Sequence, residues 1–447
     1  MTRRKHRINW NPTRMHGRKH HRINIVDYLR SDSATLVADC KLFCRNMISA
    51  SGSANGAFFE QRAREFLEGL ILTCVRIHGQ LEIRHILDAM YLIPKGGEEW
   101  LDFAFEMQEA GYPISARIEE EIANARNDSS GGYQGILGEL FKAFACYSDP
   151  LLLDAVSPPY DFSYEQTTDP DIRYVISLMV QPGHVGPWNP ALKGHFVAAK
   201  IYKSRAPLAP RQTWLLDEMA VLANGDSKGF ALAADLYTVD AGMGIRPVGV
   251  IQSSKQLDTL IPNGESIITA SAPVRCYFAV RDEKTATTLS NMLGMQTLVY
   301  DDEKEQARSR HAADQAMKRM LDGADSFGAM MDYAHHSEMA GMRSKMRRQL
   351  RTPAEILHMA PGKQIIFADG LCHPIEADRK IYYEQRFMAG KFHPNPYYPP
   401  LDKVRVKTRF GHAWKRVIRE PVQPEHAGLP QFADGMWTYI EPLKWWE

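Results

Sequence analysis

The sequence contains few cysteines, no long apolar run and almost no net charge. Its 6 cysteines among 447 residues are too few for a disulfide framework, and most lie in apolar stretches, so we predict a reducing, cytoplasmic environment. No run reaches the roughly 18–20 apolar residues of a membrane span, and no apolar segment follows the basic N-terminus. The sequence therefore predicts neither a transmembrane segment nor a secretion signal. At about 100–200 residues per domain, its length indicates two or three domains.

The balance of 54 Lys+Arg against 53 Asp+Glu conceals three basic blocks. One lies within the first thirty residues, one runs from Arg343 to Arg351, and one runs from Lys403 to Arg419. Such blocks attract phosphate backbones or anionic lipid, and a solvated helix face or a flexible tail is the alternative for each. The weak DNA-binding candidates are Arg343, Lys345, Arg347, Arg348, Lys403, Arg405, Lys407, Arg409, Lys415 and Arg416.

Residues 34–155 are predicted to be almost entirely helical. Apolar residues recur at steps of three and four, for example at Phe59, Ala63 and Phe66, and breaks rich in glycine or proline separate the helices. After residue 157 the pattern changes to short apolar runs with helices between them, which favours a parallel α/β sheet. The predicted strands lie at 174–180, 214–216, 248–251 and 276–280.

The remaining chain combines polar helices, a hairpin and an irregular end. Helices are predicted at 303–320 and 334–350, a hairpin between 364 and 381, and irregular structure in the last part, which is rich in Pro, Tyr, Trp and Lys/Arg. The predicted domains are a basic N-terminal segment at 1–25, an all-α domain at 26–157, an α/β domain at 158–385 and an irregular basic and aromatic tail at 386–447.

An apolar strand that ends in two acids is the most informative segment. It reads Thr-Trp-Leu-Leu-Asp-Glu-Met-Ala over residues 213–220, with the acids at Asp217 and Glu218. In P-loop nucleotide hydrolases such a strand places the first acid near Mg²⁺ and the second where it can polarise the attacking water. The alternative is that the acids cap a helix.

About thirty residues after the two acids, a second predicted strand covers residues 245–251 and is followed directly by polar residues. Gln252 follows it, at the sheet edge where α/β proteins bind ligands. A glutamine there can sense the γ-phosphate or orient water, whereas taken alone Gln252 would be read as a residue that caps a loop. Both strands in this order within one α/β unit favour a nucleotide hydrolase.

Residues 23–385 resemble the cytoplasmic part of the type IV coupling proteins of bacterial conjugation and type IV secretion, the TraG-like class of RecA-type DNA-pumping ATPases. Residues 213–220 resemble the family's Walker B strand, and residues 244–257 resemble the strand with its polar sensor. The order of the matching segments makes the resemblance far more specific than any single motif. The others are Arg22–Leu29, Phe58–Leu72, Val274–Val280 with Thr285–Leu293, and Arg351–Ile356 with Gln364–Phe367.

The resemblance implies a RecA-like, P-loop NTPase-like domain that is interrupted by the all-α domain, with residues 1–25 as a remnant of the nucleotide domain. It also implies a homo-hexameric ring at the cytoplasmic face of the inner membrane, which uses ATP and Mg²⁺ to move single-stranded DNA and its relaxase into the secretion channel. By position, Asp217 would help to hold Mg²⁺, Glu218 would be the catalytic acid and Gln252 the sensor. Arg246 is the candidate for a charge that reaches a neighbouring subunit's nucleotide.

One motif of the family is absent from the sequence, the phosphate-binding loop Gly-x-x-x-x-Gly-Lys-Ser/Thr. Lys228 and Lys363 each neighbour a glycine but lack the spaced glycine and the hydroxyl residue. Without this loop, nothing supplies the amides and the lysine that cradle β- and γ-phosphates. We therefore expect the chain alone not to bind ATP tightly, and to be a monomer or a loose oligomer in isolation.

The position of the missing loop suggests two explanations. In the family, this loop and the transmembrane helices precede the point where the present sequence starts. The chain is therefore expected to be either part of a split or truncated coupling protein, which a separate polypeptide completes, or a remnant that retains assembly and binding. The runner-up functions are a non-catalytic adaptor that binds DNA or secretion substrates, and another RecA-like motor for DNA packaging or segregation.

Overall fold

The computed structural model describes residues 5–48, 54–125, 131–223, 229–323 and 325–443, which belong to two compact units. The first unit comprises residues 1–272 and 380–447, and the second comprises residues 273–379. The predicted all-α region and the first predicted strands therefore share a unit. None of the helices in the described ranges combines the length and the apolar character that crossing a bilayer demands.

The helical region of the first unit packs around an apolar core. Its helices are α1 (Leu36–Met47), α2 (Ala54–His78), α3 (Ile83–Lys95), α4 (Gly97–Glu109), α5 (Pro113–Ala125), α6 (Gly131–Phe144) and α7 (Pro150–Ala155). Ala63 and Phe66 of the predicted apolar stripe are buried in α2. At the start of α7, Asp149 accepts a hydrogen bond from the Leu151 amide and Pro150 takes the first helical position.

Two pairs of parallel strands follow the predicted α/β pattern in this unit. The strands are β1 (His6–Trp10), β2 (Tyr174–Leu178), β3 (Gln212–Leu216) and β4 (Ile245–Gly249), and the later helices are α8 (Asn189–Arg205), α9 (Leu232–Thr238), α10 (Leu257–Leu260) and α11 (Gly264–Ser271). β1 pairs with β2, and β3 pairs with β4. β1 lies in the basic segment, where no strand is predicted, and its buried Ile8 and Trp10 alternate with Arg7 and Asn9.

The second unit contains antiparallel strands and a helical hairpin. Its elements are β5 (Val274–Tyr277), α12 (Glu283–Leu293), β6 (Met295–Tyr300), α13 (Glu303–Leu321), α14 (Ser326–Gly341), β7 (Ser344–Gln349), α15 (Pro353–Leu357), β8 (Lys363–Ala368) and β9 (Ile375–Asp378). The prediction of a helix over 334–350 is wrong beyond Gly341, because the basic residues that follow pair with β6 as a strand. The hairpin predicted after residue 364 is the β8–β9 pair.

The strands in the described ranges do not join into one continuous parallel sheet. Within the described residues they form five sheets of two or three strands, and the parallel pairs are β1–β2 and β3–β4. The segment predicted at 276–280 as a further parallel strand is β5, which pairs antiparallel with β8 because the closing hairpin reaches its edge.

The C-terminal tail is not irregular, contrary to the prediction for residues 386–447. It contains β10 (Lys403–Thr408), β11 (Gly411–Pro421) and β12 (Met436–Ile440), which form an antiparallel sheet in the order β10-β11-β12. Val404, Val406 and Ile440 form the buried core of this sheet. The density of basic residues and prolines in the sequence hides the alternation of charged and apolar residues that makes β10 a strand.

A buried polar network links the segment before α1 to α8. Asp27 accepts hydrogen bonds from Ser163 Oγ at 2.5 Å and from Tyr202 Oη at 3.1 Å. Burial, which outweighs these two hydrogen bonds, raises the pKa of Asp27 to about 6. Asp27 therefore titrates close to physiological pH.

We expect Asp27→Asn to raise the free energy of unfolding, relative to the wild type, more at pH 8 than at pH 4. The difference between the two pH values should be up to about 3 kcal/mol. Because the folded-state pKa lies above the ordinary value, protonated Asp27 favours folding below about pH 4, and this contribution is lost as the pH rises through about 6. Urea unfolding of both proteins at the two pH values measures the difference. Asp314→Asn, at an exposed site on α13, is the control. An equal effect of Asp27→Asn at both pH values would contradict the prediction.

Candidate functional site

The two predicted nucleotide elements meet at the carboxyl edge of the β3–β4 pair. Asp217 and Glu218 follow β3 directly, and Gln252 comes three residues after the end of β4. Since the strands are parallel, these ends lie at the same edge. Gln252 Nε2 donates a hydrogen bond to Glu218 Oε1 at 3.2 Å. The structure therefore brings together the residues predicted to be the catalytic acid and the sensor.

The backbone of Glu218 has the left-handed conformation, with φ of 50°. A side chain other than glycine costs about 1–2 kcal/mol in this region. Hydrogen bonds on both sides hold the turn, from Met219 N to Val250 O at 3.0 Å and from Val221 N to Glu218 O at 2.8 Å. The neighbouring strand thus fixes the direction in which the Glu218 carboxylate leaves the sheet.

Gln256 positions the loop that carries Gln252. Its Oε1 accepts hydrogen bonds from Gln252 N at 2.9 Å and from Ser253 N at 3.3 Å, and Ser253 caps the following turn in return. Gln256 is not among the predicted site residues. The available signal is the Ser-x-x-Gln spacing of a capping box at residues 253–256. The loop-capping role considered for Gln252 belongs to Gln256.

One face of the β3–β4 pair is packed against helices. Trp214 is buried, with its ring centroid 5.4 Å from that of Phe196 on α8. A Cβ atom at Gly249 would lie 2.5 Å from Tyr237 Oη on α9 and 2.9 Å from Met219 Sδ, so a larger residue there would have to displace these two side chains. These contacts hold both strands that carry the site.

A buried ion pair supports the turn into β4. Lys200 Nζ on α8 lies 2.8 Å from Asp235 Oδ2 and 3.2 Å from Asp240 Oδ1, and the Asp240 side chain is fully buried. Burial raises the pKa of Asp240, and Lys200 opposes that shift. The Asp240 carbonyl accepts a hydrogen bond from the Ile245 amide at 3.1 Å, at the first residue of β4.

The opposite face of the pair is exposed and apolar, and we call it the open face. It carries Leu215 of β3, Val248 of β4 and Val250 just beyond β4, with exposed fractions of 69%, 46% and 38%. Sheets of parallel strands normally have both faces covered. The open face is therefore an unusual feature of this fold.

The outer edge of β4 is also unpaired in the part of the chain that the structure describes. β4 pairs with β3 alone, and the ladder is anchored by Gln212 N to Gly244 O and Val250 N to Leu216 O, both at 3.0 Å. On the other side of β3, Gln212 Nε2 reaches Thr167 Oγ1 at 3.4 Å, in the segment that leads to β2. The outer edge of β4 is therefore open to a further strand.

Arg246, the remaining predicted site residue of β4, does not lie beside Glu218 and Gln252. Arg246 is the second residue of β4 and is in register with Thr213, so it lies at the opposite end of the strands from Glu218. Its role toward a neighbouring subunit stays a prediction. Lys363 pairs with Asp378 at 2.8 Å, and Lys228 lies outside the described residues.

The carboxylates at this edge could bind Mg²⁺ only if the phosphates of a substrate supplied further ligands. Asp217 and Glu218 are exposed carboxylates, and no group of three or more possible metal ligands of the His, Cys, Asp and Glu types occurs within the described ranges. Mg²⁺ is commonly held by one or two carboxylates, waters and the phosphates of a substrate. Asp217 fits such a site.

The DNA-binding candidates form two separate groups. In the second unit, Arg343 and Arg348 are engaged by Asp301 and Glu355, whereas Lys345 and Arg347 are exposed at alternate positions of β7. Lys403, Arg405, Lys407, Lys415 and Arg416 lie on β10 and β11, with Arg409 in the turn between them. Of these, Lys415 is buried.

Three solved structures of coupling proteins have a similar fold. The bacterial conjugative coupling protein TrwBdeltaN70 matches with a TM-score of 0.56 and 16% identity, over 84% of this chain and 74% of that chain. The plasmid coupling protein TrwB with ADP and Mg²⁺ matches with a TM-score of 0.55 and 16% identity, over 84% and 73%. TrwB with the ATP analogue ADPNP gives 0.53 and 16%, over 84% and 74%.

The sequence itself matches one family. No curated protein sequence matches the chain. The family described as type IV secretory system conjugative DNA transfer matches residues 3–398, which is most of the chain. The predicted resemblance is thereby confirmed, with the coupling role in conjugation and type IV secretion that it carries. The chain belongs to the type IV secretory system conjugative DNA transfer family.

Proposed function

We propose that this coupling protein is part of an ATP-driven motor that moves single-stranded DNA, together with its relaxase, into a type IV secretion channel. The observation that carries the proposal is the hydrogen bond between Gln252 and Glu218, which joins the two nucleotide elements at one sheet edge. TrwB, which has a similar fold, has been solved with ADP and Mg²⁺ and with ADPNP. Membership of the conjugative DNA transfer family supports DNA and channel proteins as partners.

Asp217, Glu218 and Gln252 have different roles in the proposed hydrolysis of ATP. When bound, Mg²⁺-ATP supplies the phosphoryl group that is transferred to water. Asp217 helps to hold the cation, Glu218 accepts a proton from the attacking water, and Gln252 orients the Glu218 carboxylate and senses the γ-phosphate. The left-handed backbone at Glu218 supports this assignment, since costly backbone geometry tends to occur at functional sites.

The nucleotide site is completed by a segment that lies outside the present sequence, made of a strand, a glycine-rich loop and a helix. The strand adds to the outer edge of β4, and the helix covers Leu215 and Val248 on the open face. The loop then lies at the carboxyl edge, near Asp217, where its amides can hold phosphates. The two parallel pairs become parts of one RecA-like sheet in this arrangement. TrwBdeltaN70 has length beyond the 74% that this chain covers, consistent with such a segment.

The assembled protein is proposed to be a homo-hexameric ring at the cytoplasmic face of the inner membrane, as the family resemblance implies. A ring places each nucleotide site beside a neighbouring subunit, and Arg246 is the candidate to act across that boundary. Its exposure supports this role, because it is available to another chain.

Nucleotide binding by the purified chain tests the completion of the site. We expect no tight binding of a fluorescent ATP analogue with Mg²⁺ and no turnover, with or without single-stranded DNA. The Asp217→Ala, Glu218→Ala double variant should behave in the same way. Turnover by the wild-type chain that the double variant loses would show a complete site within the chain and would overturn the need for a second segment.

A variant of the open face tests the same idea in cells that encode the chain. Leu215→Asp should lower conjugative DNA transfer at least about tenfold, because an ionised side chain under a packed helix lacks a partner. The isolated variant should remain as stable as the wild type, since Leu215 is already 69% exposed. Leu208→Asp, at a residue that is 96% exposed, is the matched control. Normal transfer by Leu215→Asp would contradict a covered open face.

A second candidate function is a non-catalytic adaptor that recruits DNA or secretion substrates. The absence of the phosphate-loop motif from the sequence favours it. An adaptor would keep normal DNA transfer when Glu218 is replaced, whereas a motor would not.

A further inference from the structure

The sheet of β10, β11 and β12 lies outside the part of the chain that matches the family. The match ends at residue 398, and β10 begins at Lys403. Family membership therefore assigns no role to this sheet, whose properties follow from its own side chains.

Cross-strand register collects four of the basic residues of β10 and β11 on one face, whereas Lys415 lies on the other. Lys403 is opposite Arg416, Arg405 is opposite Trp414, and Lys407 is opposite His412. Directly opposed residues of an antiparallel pair share a face, so these six side chains form one surface, which we call the tail platform. The alternate residues Val404 and Val406 are buried on the other face, so the platform is the outer side of the sheet.

Trp414 is the aromatic centre of the tail platform. It is 55% exposed, and Lys403 Nζ lies 5.4 Å from the centroid of its ring. Arg405 is its cross-strand neighbour, and an Arg405 guanidinium nitrogen lies 3.1 Å from His412 Nδ1. A large ring held beside two cations, with more than half of its surface open, offers a stacking site for a planar group.

The charge on the tail platform is only partly compensated. Glu384 contacts His412 Nε2 at 2.7 Å, and Glu441 lies 3.7 Å from Arg416 Nε. In the described parts of the chain, Lys403, Arg405 and Lys407 make no ion pair with a carboxylate. The platform therefore keeps a positive field around Trp414, which suits a chain of phosphates.

We propose that the tail platform binds single-stranded DNA, with a base stacked on Trp414 and the flanking phosphates held by Lys403, Arg405, Lys407 and Arg416. Unpaired bases present the faces that an exposed tryptophan can stack on, whereas a duplex hides them. Basic side chains on both sides of the ring then contact the backbone without reading sequence. The inference deepens the proposed motor function, on which it rests, by adding a contact for the transferred strand outside the family-matched region.

Fluorescence anisotropy of a labelled oligothymidylate with the purified full chain tests the proposal. Trp414→Ala should weaken binding at least about fivefold, and Trp414→Phe should retain most of the affinity, because phenylalanine also stacks. The Arg405→Gln, Arg416→Gln double variant should reduce the slope of log affinity against log salt by about 1.4, since each of the two phosphate contacts on a single strand contributes about 0.7.

Matched variants in the second unit control for the loss of charge and of an aromatic ring. Arg308→Gln with Lys318→Gln removes two exposed charges from α13, and Phe327→Ala removes a ring that is 76% exposed. Both controls should bind the oligonucleotide like the wild type. Circular dichroism and thermal unfolding of each variant separate lost folding from lost binding.

Unchanged oligonucleotide affinity in a folded Trp414→Ala variant would overturn the proposal, as would an equal loss in the controls. Binding to phosphatidylglycerol vesicles that the variant loses, with unchanged DNA binding, would assign the platform to lipid instead. The assay contains no ATP, so its failure is distinct from a failure of the nucleotide-site proposal. If the tail platform binds DNA but replacement of Glu218 leaves DNA transfer unchanged, this inference holds and the chain acts as an adaptor rather than as a motor.

Discussion

Glu218→Gln is expected to lower conjugative DNA transfer at least about a hundredfold in cells that encode the chain. General base catalysis typically contributes about 10²–10⁴ to a rate, and glutamine keeps the shape of the side chain without its basicity. The hydrogen bond between Gln252 and residue 218 can persist, because the glutamine side chain also offers an oxygen that accepts it. Mating frequency, with immunoblots of the variant protein in the donor cells, measures the effect.

Two further variants distinguish loss of the Glu218 carboxylate's chemistry from a general effect of charge or of stability. Glu338→Gln, at an exposed site on α14, controls for loss of one acidic charge and should transfer DNA normally. Glu218→Gly should lose transfer as well, but should raise the free energy of unfolding by about 1 kcal/mol because glycine accepts the left-handed backbone. Loss of activity with a gain in stability would show that the carboxylate is kept at that position for its chemistry. Wild-type transfer by Glu218→Gln would contradict the assignment of Glu218.

Lys200→Met is expected to lower the free energy of unfolding by about 3–5 kcal/mol at pH 7. The substitution leaves the fully buried Asp240 carboxylate without its cation, and breaking one side of a buried pair strands the other charge. Since Asp240 precedes β4 and its carbonyl bonds to Ile245, the loss should also loosen the strand that positions Gln252. Urea denaturation followed by circular dichroism measures the change.

A double variant tests whether the unpaired Asp240 carboxylate causes the loss of stability in Lys200→Met. Adding Asp240→Asn to Lys200→Met should restore a large part of the lost stability, because no fully buried charge then lacks a partner and the carboxylate of Asp235 is partly exposed to water. Lys142→Met, at an exposed lysine that pairs with Glu139, should change the unfolding free energy by less than about 0.5 kcal/mol. A small effect of Lys200→Met, or no recovery in the double variant, would show that the pair does not support the turn before β4.

The sequence predicts the positions of the strands that carry the site better than it predicts their assembly. The apolar runs before Asp217 and Gln252 are short and end in polar residues, so both strands and their shared edge can be inferred. Their contact through Glu218 depends on the left-handed turn, which no residue type at that position signals. Gln256 is missed because its hydrogen bonds concern the loop backbone rather than the predicted chemistry.

Elements whose partners are distant in sequence are the ones that the sequence does not predict. β1 is a strand because His6–Trp10 meets Tyr174–Leu178 across the whole helical region. β7 likewise depends on β6, with α13 and α14 between them, and local helix propensity is overridden by that pairing. In the tail, charge and proline content indicate irregularity, and the alternation that defines the sheet becomes visible only with the register in hand.

The unpaired outer edge of β4 also bears on aggregation. An open strand edge beside exposed apolar side chains is a template on which further copies of the same strand can polymerise. The ladder with β3 directs the backbone of Pro247 toward this edge, and proline has no N–H to donate. A second copy of β4 would therefore meet a gap at the centre of the strand. Pro247 should thus disfavour the edge-to-edge addition of further copies of β4 into fibres.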